Sequence, residues 1–353
     1  MPAPVMRVLQ LGPYPPPYGG VQTNLVAIRS FLLQKGVPCS VINVTRHRKP
    51  NANNVYYPSN SAELLSQLAR IPCDIVHQHF GGMLTNRILA LSLACALRPG
   101  AKSIMSFHSG GFPSTPEGRA LGPNSLAAFV LRRFDGLIAV NEEIMGFFRR
   151  LGVPQPRVRI ISPFSALTDE DTDFPAPLAA FFSEHDPVLI SAGQLEPEYD
   201  LALQIDALPQ LREKFPNAGL VLLGSGSLEK DLRDRIAACQ CAEHILLAGD
   251  VPHGATMEAI SRSRILLRTT WYDGDAITVR EAMQVGTPVI ATDNAMRPSG
   301  ITLIPKSDLA ALLRALEQEL LQPQPRKKRI PADQGSLQQV LDFYQEVLAG
   351  RTK

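Results

Sequence analysis

The chain has 353 residues, 45% of them hydrophobic and 6% aromatic, and its 35 Lys and Arg nearly balance 33 Asp and Glu, for a formal charge of +2. That length suits two domains of ordinary size and that composition a folded soluble chain, while near-neutral charge offers no electrostatic footprint for nucleic acid. The five cysteines, Cys39, Cys73, Cys95, Cys239 and Cys241, are scattered and odd in number, and no histidines follow the last two at zinc-finger spacing. Reduced thiols and a cytoplasmic protein are expected. The opening MPAPVMRVLQLG lacks the basic start and apolar core of a signal peptide, and the longest apolar stretch, Ile88 to Leu97, is too short for a bilayer.

In chain order, Val5 to Leu11 reads as a buried parallel strand. It runs into a proline-stiffened loop ending in Gly19 and Gly20, where paired glycines allow close backbone approach at a helix start. A plain turn reads equally well from these residues, and the spacing is not that of a dinucleotide-binding GxGxxG loop. Helix Val21 to Gln34 and strand Ser40 to Val44 complete a β-loop-α-β unit. Alternation continues through helix Ala62 to Ile71, a strand carrying His77 and His79, helix Thr85 to Leu97, and a strand from Lys102 that ends at His108, Gly110 and Gly111. A lone histidine is more often structural than catalytic. Helix Ser125 to Phe134 ends in Arg132 and Arg133, and helix Glu142 to Leu151 in Arg149 and Arg150. Cations at helix C-termini have a dipole explanation; a basic face for anionic lipid is the alternative. Strand Val158 to Pro163 closes this half.

Thr168 to His185, acidic and proline-bearing, reads as a linker. Strand Val188 to Ala192 leads to Gly193, Gln194 and Tyr199, then to helix Leu201 to Phe215. Strand Gly219 to Leu223 leads to a turn with Gly224 and Gly226, helix Leu228 to Cys239 and strand Ile245 to Leu247. Helix Thr256 to Ser263 and strand Arg264 to Arg268 feed the stretch TTWYDGDAITVREAMQVGTPVIATD, Thr269 to Asp293. It reads as a loop through Asp273, Gly274, Asp275 and Ala276, a helix from Ile277 to Val285 and a buried strand, Pro288 to Thr292. Asp273 and Glu281 stand eight apart, so both can face one bound polyol, and the helix start offers N–H groups to an anion. Leu337 to Leu348 is a closing helix. Strand–helix alternation at this rhythm means two parallel sheets.

The run Asp273-Gly274, Glu281-Ala282-Met283 and Gly286-Thr287-Pro288-Val289-Ile290 resembles the signature of GT-B glycosyltransferases, most closely the family-4 retaining enzymes. The resemblance covers nearly the whole chain and implies an α/β fold of two Rossmann-like domains facing across a cleft. It gives an acceptor-side domain (1–165), a linker (166–186), a donor-binding domain (187–330) and a C-terminal helix (331–353) crossing back toward the first domain. It implies that Glu281 holds the ribose diol of a nucleotide-sugar, that Asp273 lies beside the donor sugar, and that loop amides around Gly274, Asp275, Ala276 and Ile277 approach the phosphates. It also places Gly193, Gly224 and Gly226 near the donor, Gly19 and Gly20 near donor and acceptor, and His108 against the donor sugar or acceptor, with His77 and His79 structural. No Asp-x-Asp motif is present, and neither a metal nor a cofactor is expected. The partners implied are a nucleotide-sugar donor and a glycan or lipid-linked acceptor, in assembly of a surface polysaccharide.

One family element is missing. Where the family reads Gly-Arg-Leu-x3-Lys-Gly, with Arg and Lys neutralising the donor diphosphate, this chain has Gln194 and Tyr199. Loss of one such contact commonly costs about 10²-fold or more in rate. Three readings stay open: other groups compensate, among them Lys230, Arg268 or Arg297; the donor is atypical; or the protein binds a sugar or nucleotide without transferring it.

Overall fold

The computed structural model describes residues 6–15, 19–45, 48–163, 173–272, 276–294, 297–323 and 334–352. The chain divides into two compact units, Met1–Ser165 with Asp333–Lys353, and Ala166–Ala332.

The first unit runs β1 (Val8–Gly12), α1 (Gly20–Gln34), β2 (Cys39–Asn43), β3 (Val55–Tyr56), α2 (Ser61–Arg70), β4 (Ile75–Phe80), α3 (Asn86–Ala96), β5 (Lys102–Phe107), α4 (Pro116–Ala120), α5 (Leu126–Leu131), β6 (Gly136–Ala139), α6 (Glu142–Arg150) and β7 (Val158–Ile160). The second runs α7 (Ala176–Glu184), β8 (Val188–Ala192), α8 (Leu201–Arg212), β9 (Gly219–Leu223), α9 (Glu229–Ala238), β10 (Ile245–Gly249), α10 (His253–Arg262), β11 (Ile265–Arg268), α11 (Ile277–Val285), β12 (Val289–Thr292), β13 (Thr302–Ile304) and α12 (Leu309–Leu321). The closing helix α13 (Gly335–Leu348) belongs to the first unit.

Both units are the doubly wound parallel sheets expected of Rossmann-like domains. The first sheet has the order β3-β2-β1-β4-β5-β6-β7 and the second β10-β9-β8-β11-β12-β13, with every paired strand parallel. Strands β1, β4, β8, β9, β11 and β12 are buried along their whole length; most therefore read as largely apolar rather than alternating runs, while β4 buries His77, Gln78 and His79 and β1 buries Gln10. Several helices are started by side chains: Asn60, Thr85, Ser125 and Asn141 accept from the N–H three residues on. Helices α1 and α11 have no such cap, so their first amides are left to backbone, solvent or ligand. Gly286 ends α11 in the left-handed region, φ 75°, where a side chain would strain the turn into β12.

The structure adds elements to those read from sequence and changes one. Strands β3 and β13 and helices α4 and α12 were not predicted. The 166–186 stretch, expected as a linker, carries α7, whose Leu178 and Phe181 are buried against Val188, Ile190 and Val221 of the second sheet. Proline and acidic residues disguise a helix that has only two fully buried side chains.

Helix α13 is held to the first sheet by packing and one buried polar contact. Phe343 and Tyr344 are 2% and 0% exposed, and a methyl on Gly136 would lie 2.7 Å from Phe343 Cζ. Tyr344 OH stands 2.5 Å from His77 Nδ1, in the middle of β4. The Arg159–Glu346 ion pair at 2.7 Å is more than a third exposed on both sides and adds little. Tyr344→Phe, which keeps the ring and removes the hydroxyl, is expected to destabilise the first unit by about 1–3 kcal/mol, because a buried imidazole nitrogen loses its partner. Calorimetry of wild type and variant tests this; an unchanged unfolding temperature would mean the bond adds no net stability.

Candidate functional site

In an open parallel sheet, ligands bind outside the carboxyl ends of the strands where the strand order reverses. In the second unit that point lies between β8 and β11. The segment after β8 is folded tightly onto its neighbours. A Cβ on Gly193 would lie 2.3 Å from Tyr199 Cε1 and 2.8 Å from an Arg268 terminal nitrogen. Gly224, at φ 129°, would bring a Cβ within 1.7 Å of Gly193 O, and a Cβ on Gly226 would fall 2.4 Å from Leu195 O. These three glycines were expected near a ligand; Gly193 makes room for Tyr199 and Arg268, and Gly224 and Gly226 for the segment after β8. Tyr199 O accepts from Thr269 Oγ1 at 2.8 Å, and Gln204 Nε2 reaches the same hydroxyl at 2.8 Å. Trp271 Nε1 donates to Asp200 Oδ2 (3.1 Å) and Ser307 Oγ (3.0 Å), and Asp200 itself takes the left-handed φ of 48°. The ends of β8, β11 and β13 are thereby pinned together.

The helix after this edge carries the buried acid. Glu281 is 4% exposed, and its Oε1 lies 2.7 Å from Nε2 of His253, the first residue of α10. A carboxylate removed from water needs hydrogen-bond donors, and the imidazole N–H supplies one, fixing the orientation of the acid while a carboxylate's several lone pairs can serve further donors. Ala276 and Ile277, at the uncapped start of α11, are themselves buried. Asp273, Gly274 and Asp275 lie outside the described residues. Gln194 is exposed and Tyr199 half-buried.

In the first unit the order reverses between β1 and β4. A Cβ on Gly12 would lie 2.9 Å from His79 Cβ, so the strand ends are closely apposed. A buried polar chain follows: Gln10 Oε1 to His79 Nε2 at 2.8 Å, then His79 Nδ1 to His108 Nε2 at 3.4 Å, with the last two rings stacked at 5.6 Å. An amide oxygen only accepts, so His79 donates from Nε2; its Nδ1 then accepts from His108, which leaves Nδ1 of His108 as an acceptor. His108 also lines a cavity of about 10 Å³, the size of one water, with Asn24, Ser106, Ser162 and Ser336. His77 is engaged on both nitrogens, by Tyr344 and by Ser106 Oγ at 2.8 Å, and is structural. Gly19 precedes α1 in ordinary extended backbone, and a Cβ there would meet only the Gln22 side-chain end, at 3.0 Å. Among the described residues nothing demands glycine at this position.

Sequence reasoning missed His253, because a single histidine at a helix start has no spacing signature. It named Arg268 only as one cation among three. Lys230 is the weakest of those: its side chain is 83% exposed and paired with Asp234. Among the described residues no group of three or more His, Cys, Asp or Glu could hold a metal.

Comparison with known proteins matches residues 6–163 to the family described as "Glycosyl transferase 4-like domain" and residues 179–330 to "Glycosyl transferases group 1". The provisionally named colanic acid biosynthesis glycosyltransferase WcaL of Escherichia coli K12 is 26% identical over 53% of this chain, a match that spans only 48% of that relative. The phosphatidyl-myo-inositol mannosyltransferase of Mycobacterium leprae is 33% identical over 34% of this chain and 33% of its own length. Sucrose-phosphate synthase from Thermosynechococcus elongatus has the same fold, with TM-score 0.72, 15% identity, and coverage of 98% of this chain and 99% of that one. Anabaena HepE in complex with UDP-glucose does too, with TM-score 0.67, 15% identity, and coverage of 98% and 99%.

Burial holds the histidines of the first unit neutral: His77 is lowered to about 3, His108 to about 4, and His79 falls well below the ordinary imidazole value through burial and its imidazole neighbours. Unfolded imidazoles take up protons near pH 6.5. The stability these neutral rings contribute is therefore fully present above about pH 6.5 and is lost as pH falls toward 4 and then 3. Thermal unfolding followed from pH 7.5 to 4 should show a steep acid loss that His77→Gln reduces; parallel profiles for the two proteins would contradict it.

Proposed function

The chain belongs to the GT-B glycosyltransferases, and on that premise we propose that it moves a sugar from a nucleotide-linked donor to a glycan or lipid-linked acceptor with retention of anomeric configuration. The observation that carries this reading is the buried Glu281 carboxylate, held by His253 one turn into the uncapped helix α11. A carboxylate so fixed suits the paired hydroxyls of a ribose, since both can donate to it. The amides at Ala276 and Ile277 suit the phosphates, and Asp273 is assigned to the donor sugar. His108, neutral and with Nδ1 as acceptor, suits a sugar hydroxyl on the acceptor side, near Gly19 and Gly20. In retaining transfer without an enzyme base, the departing phosphate takes the acceptor proton as the new glycosidic bond forms.

The UDP-glucose bound by HepE supports a nucleotide-sugar donor, and the name of the WcaL relative supports a role in surface polysaccharide assembly. The exposed Gln194 and the aromatic Tyr199 favour one rival, a protein that binds such a donor without transferring from it. A thermal-shift panel of UDP, GDP, ADP, dTDP and CMP sugars, followed by turnover assays, separates the two. We expect at least one stabilising donor and turnover that Glu281→Ala abolishes and His253→Gln, which keeps an N–H donor, largely preserves. Binding without turnover across acceptors would favour the rival; no binding at all would sink both.

A cytoplasmic protein at the membrane's inner face fits a lipid-linked acceptor. Among the described residues no helix is long and apolar enough to cross a membrane. On α5, Leu126 and Phe129 are 57% and 43% exposed, and Arg133 lies over the Phe129 ring at 4.6 Å. Apolar side chains beside Arg132 and Arg133 suit an anionic lipid surface. Co-sedimentation with phosphatidylglycerol vesicles at low salt should be lost in a Phe129→Ser, Arg133→Ser variant; equal sedimentation of variant and wild type would exclude this face.

A further inference from the structure

A donor phosphate needs a cation or a set of N–H groups close by, because negative charge grows on it as it leaves. The segment after β8 supplies no cation at residues 194 and 199. The adjacent strand does. Arg268 is the last residue of β11, 7% exposed, and its terminal nitrogen donates to Ala192 O, the end of β8, at 3.1 Å. It therefore spans the two strands between which the second sheet reverses its order, the place where an open parallel sheet receives ligands. Its guanidinium lies over the Tyr199 ring, 4.7 Å from the centroid.

Resting on the nucleotide-sugar reading above, we propose that Arg268 is the residue that neutralises the donor phosphates in this chain, with Tyr199 as the platform that fixes its guanidinium. The Ala192 carbonyl and the Tyr199 face are among the contacts that set the plane of the fork, and a planar, permanently charged group matches phosphate oxygens better than a point charge does. Burial excludes competing water, so the attraction is stronger than at an open surface. The aromatic at 199 is then not a lost lysine. It turns the cation of the neighbouring strand toward the same place, through a stacked contact that a lysine there would replace with like-charge repulsion. Two other cations of this unit are held elsewhere: Arg264 binds Glu319 O and Gln322 O at 2.9 and 2.6 Å, and Arg235 pairs with Asp206 on the outer helices. Arg297 donates to Thr292 O at 3.1 Å and Thr270 Oγ1 at 2.7 Å, joining the ends of β12 and β11 one strand further along.

The test is calorimetric titration of the full chain with the nucleoside diphosphate found in the donor panel, its monophosphate and the nucleoside. Arg268→Gln should weaken the diphosphate about 10- to 100-fold, the range for a charged hydrogen bond, while leaving the nucleoside unchanged; Tyr199→Lys in that background should restore part of the loss. A folded Arg268→Gln protein with the wild-type preference for diphosphate over monophosphate would overturn the proposal. If that variant does not fold, Arg268→Lys decides: it keeps the charge without the fork, and a preference reduced at least about threefold supports the role, whereas an unchanged preference overturns it. Should Glu281→Ala abolish nucleoside binding while both Arg268 variants keep the wild-type phosphate preference, only this inference fails. Should no nucleotide bind the wild type, the donor reading fails and takes this inference with it.

Discussion

A parallel strand buried on both faces has only its ends to offer a ligand. That constraint organises both halves of this chain. Each sheet is sealed by helices above and below, so polar chemistry collects at the carboxyl edge, and within the edge at the one place where successive connections leave in opposite directions. Between β1 and β4 that place holds the Gln10–His79 bond and its extension to His108. Between β8 and β11 it holds the Arg268 contact with Ala192. The two sites differ in kind. The first is a chain of neutral donors and acceptors whose burial suppresses charge. The second has a permanent cation at that place and, on the helix that follows β11, a buried carboxylate, the two groups on which the proposed donor site rests.

Close packing of loops does as much for the second site as the charged groups. The carbonyls of Gly193 and Leu195 occupy the space that side chains on Gly224 and Gly226 would need. Glycine here is a matter of backbone touching backbone. With Trp271 hydrogen-bonded to Asp200 and Ser307, and Thr269 to Tyr199, the loops form a rigid rim before any ligand arrives. Preorganisation of this sort lets fixed dipoles act without reorganisation when charge moves.

Much of this was legible in the residues alone. Strand–helix alternation gave both sheets, since fully buried strands are mostly apolar, and the run around Glu281 marked the family. The glycines were noticed, but their partners were not, because a glycine in sequence does not say whether a ligand or another loop will approach it. His253 was invisible for a related reason: its partner is 28 residues away, on a different helix. The Arg268–Tyr199 stack joins residues on two elements and shows only in three dimensions. Helix α7 was hidden by prolines and acids, and β3 by having only two residues. Helix α12 was missed although its apolar residues recur at helical spacing and Leu312 and Leu316 are fully buried.

Helix α13 has a consequence for how such a chain can be rebuilt. The segment that follows the second unit returns to the first sheet, so the second unit is an internal cassette with two joints rather than a detachable tail. Grafting the second unit of a relative therefore requires cutting at both joints and leaving Phe343 and Tyr344 with their own host. A single crossover would hand the first sheet a foreign helix, and the aromatic seat between Gly136 and His77 would have to be matched anew. Exchange of specificity between relatives by one recombination event is disfavoured by that geometry, whereas drift within the cassette is not.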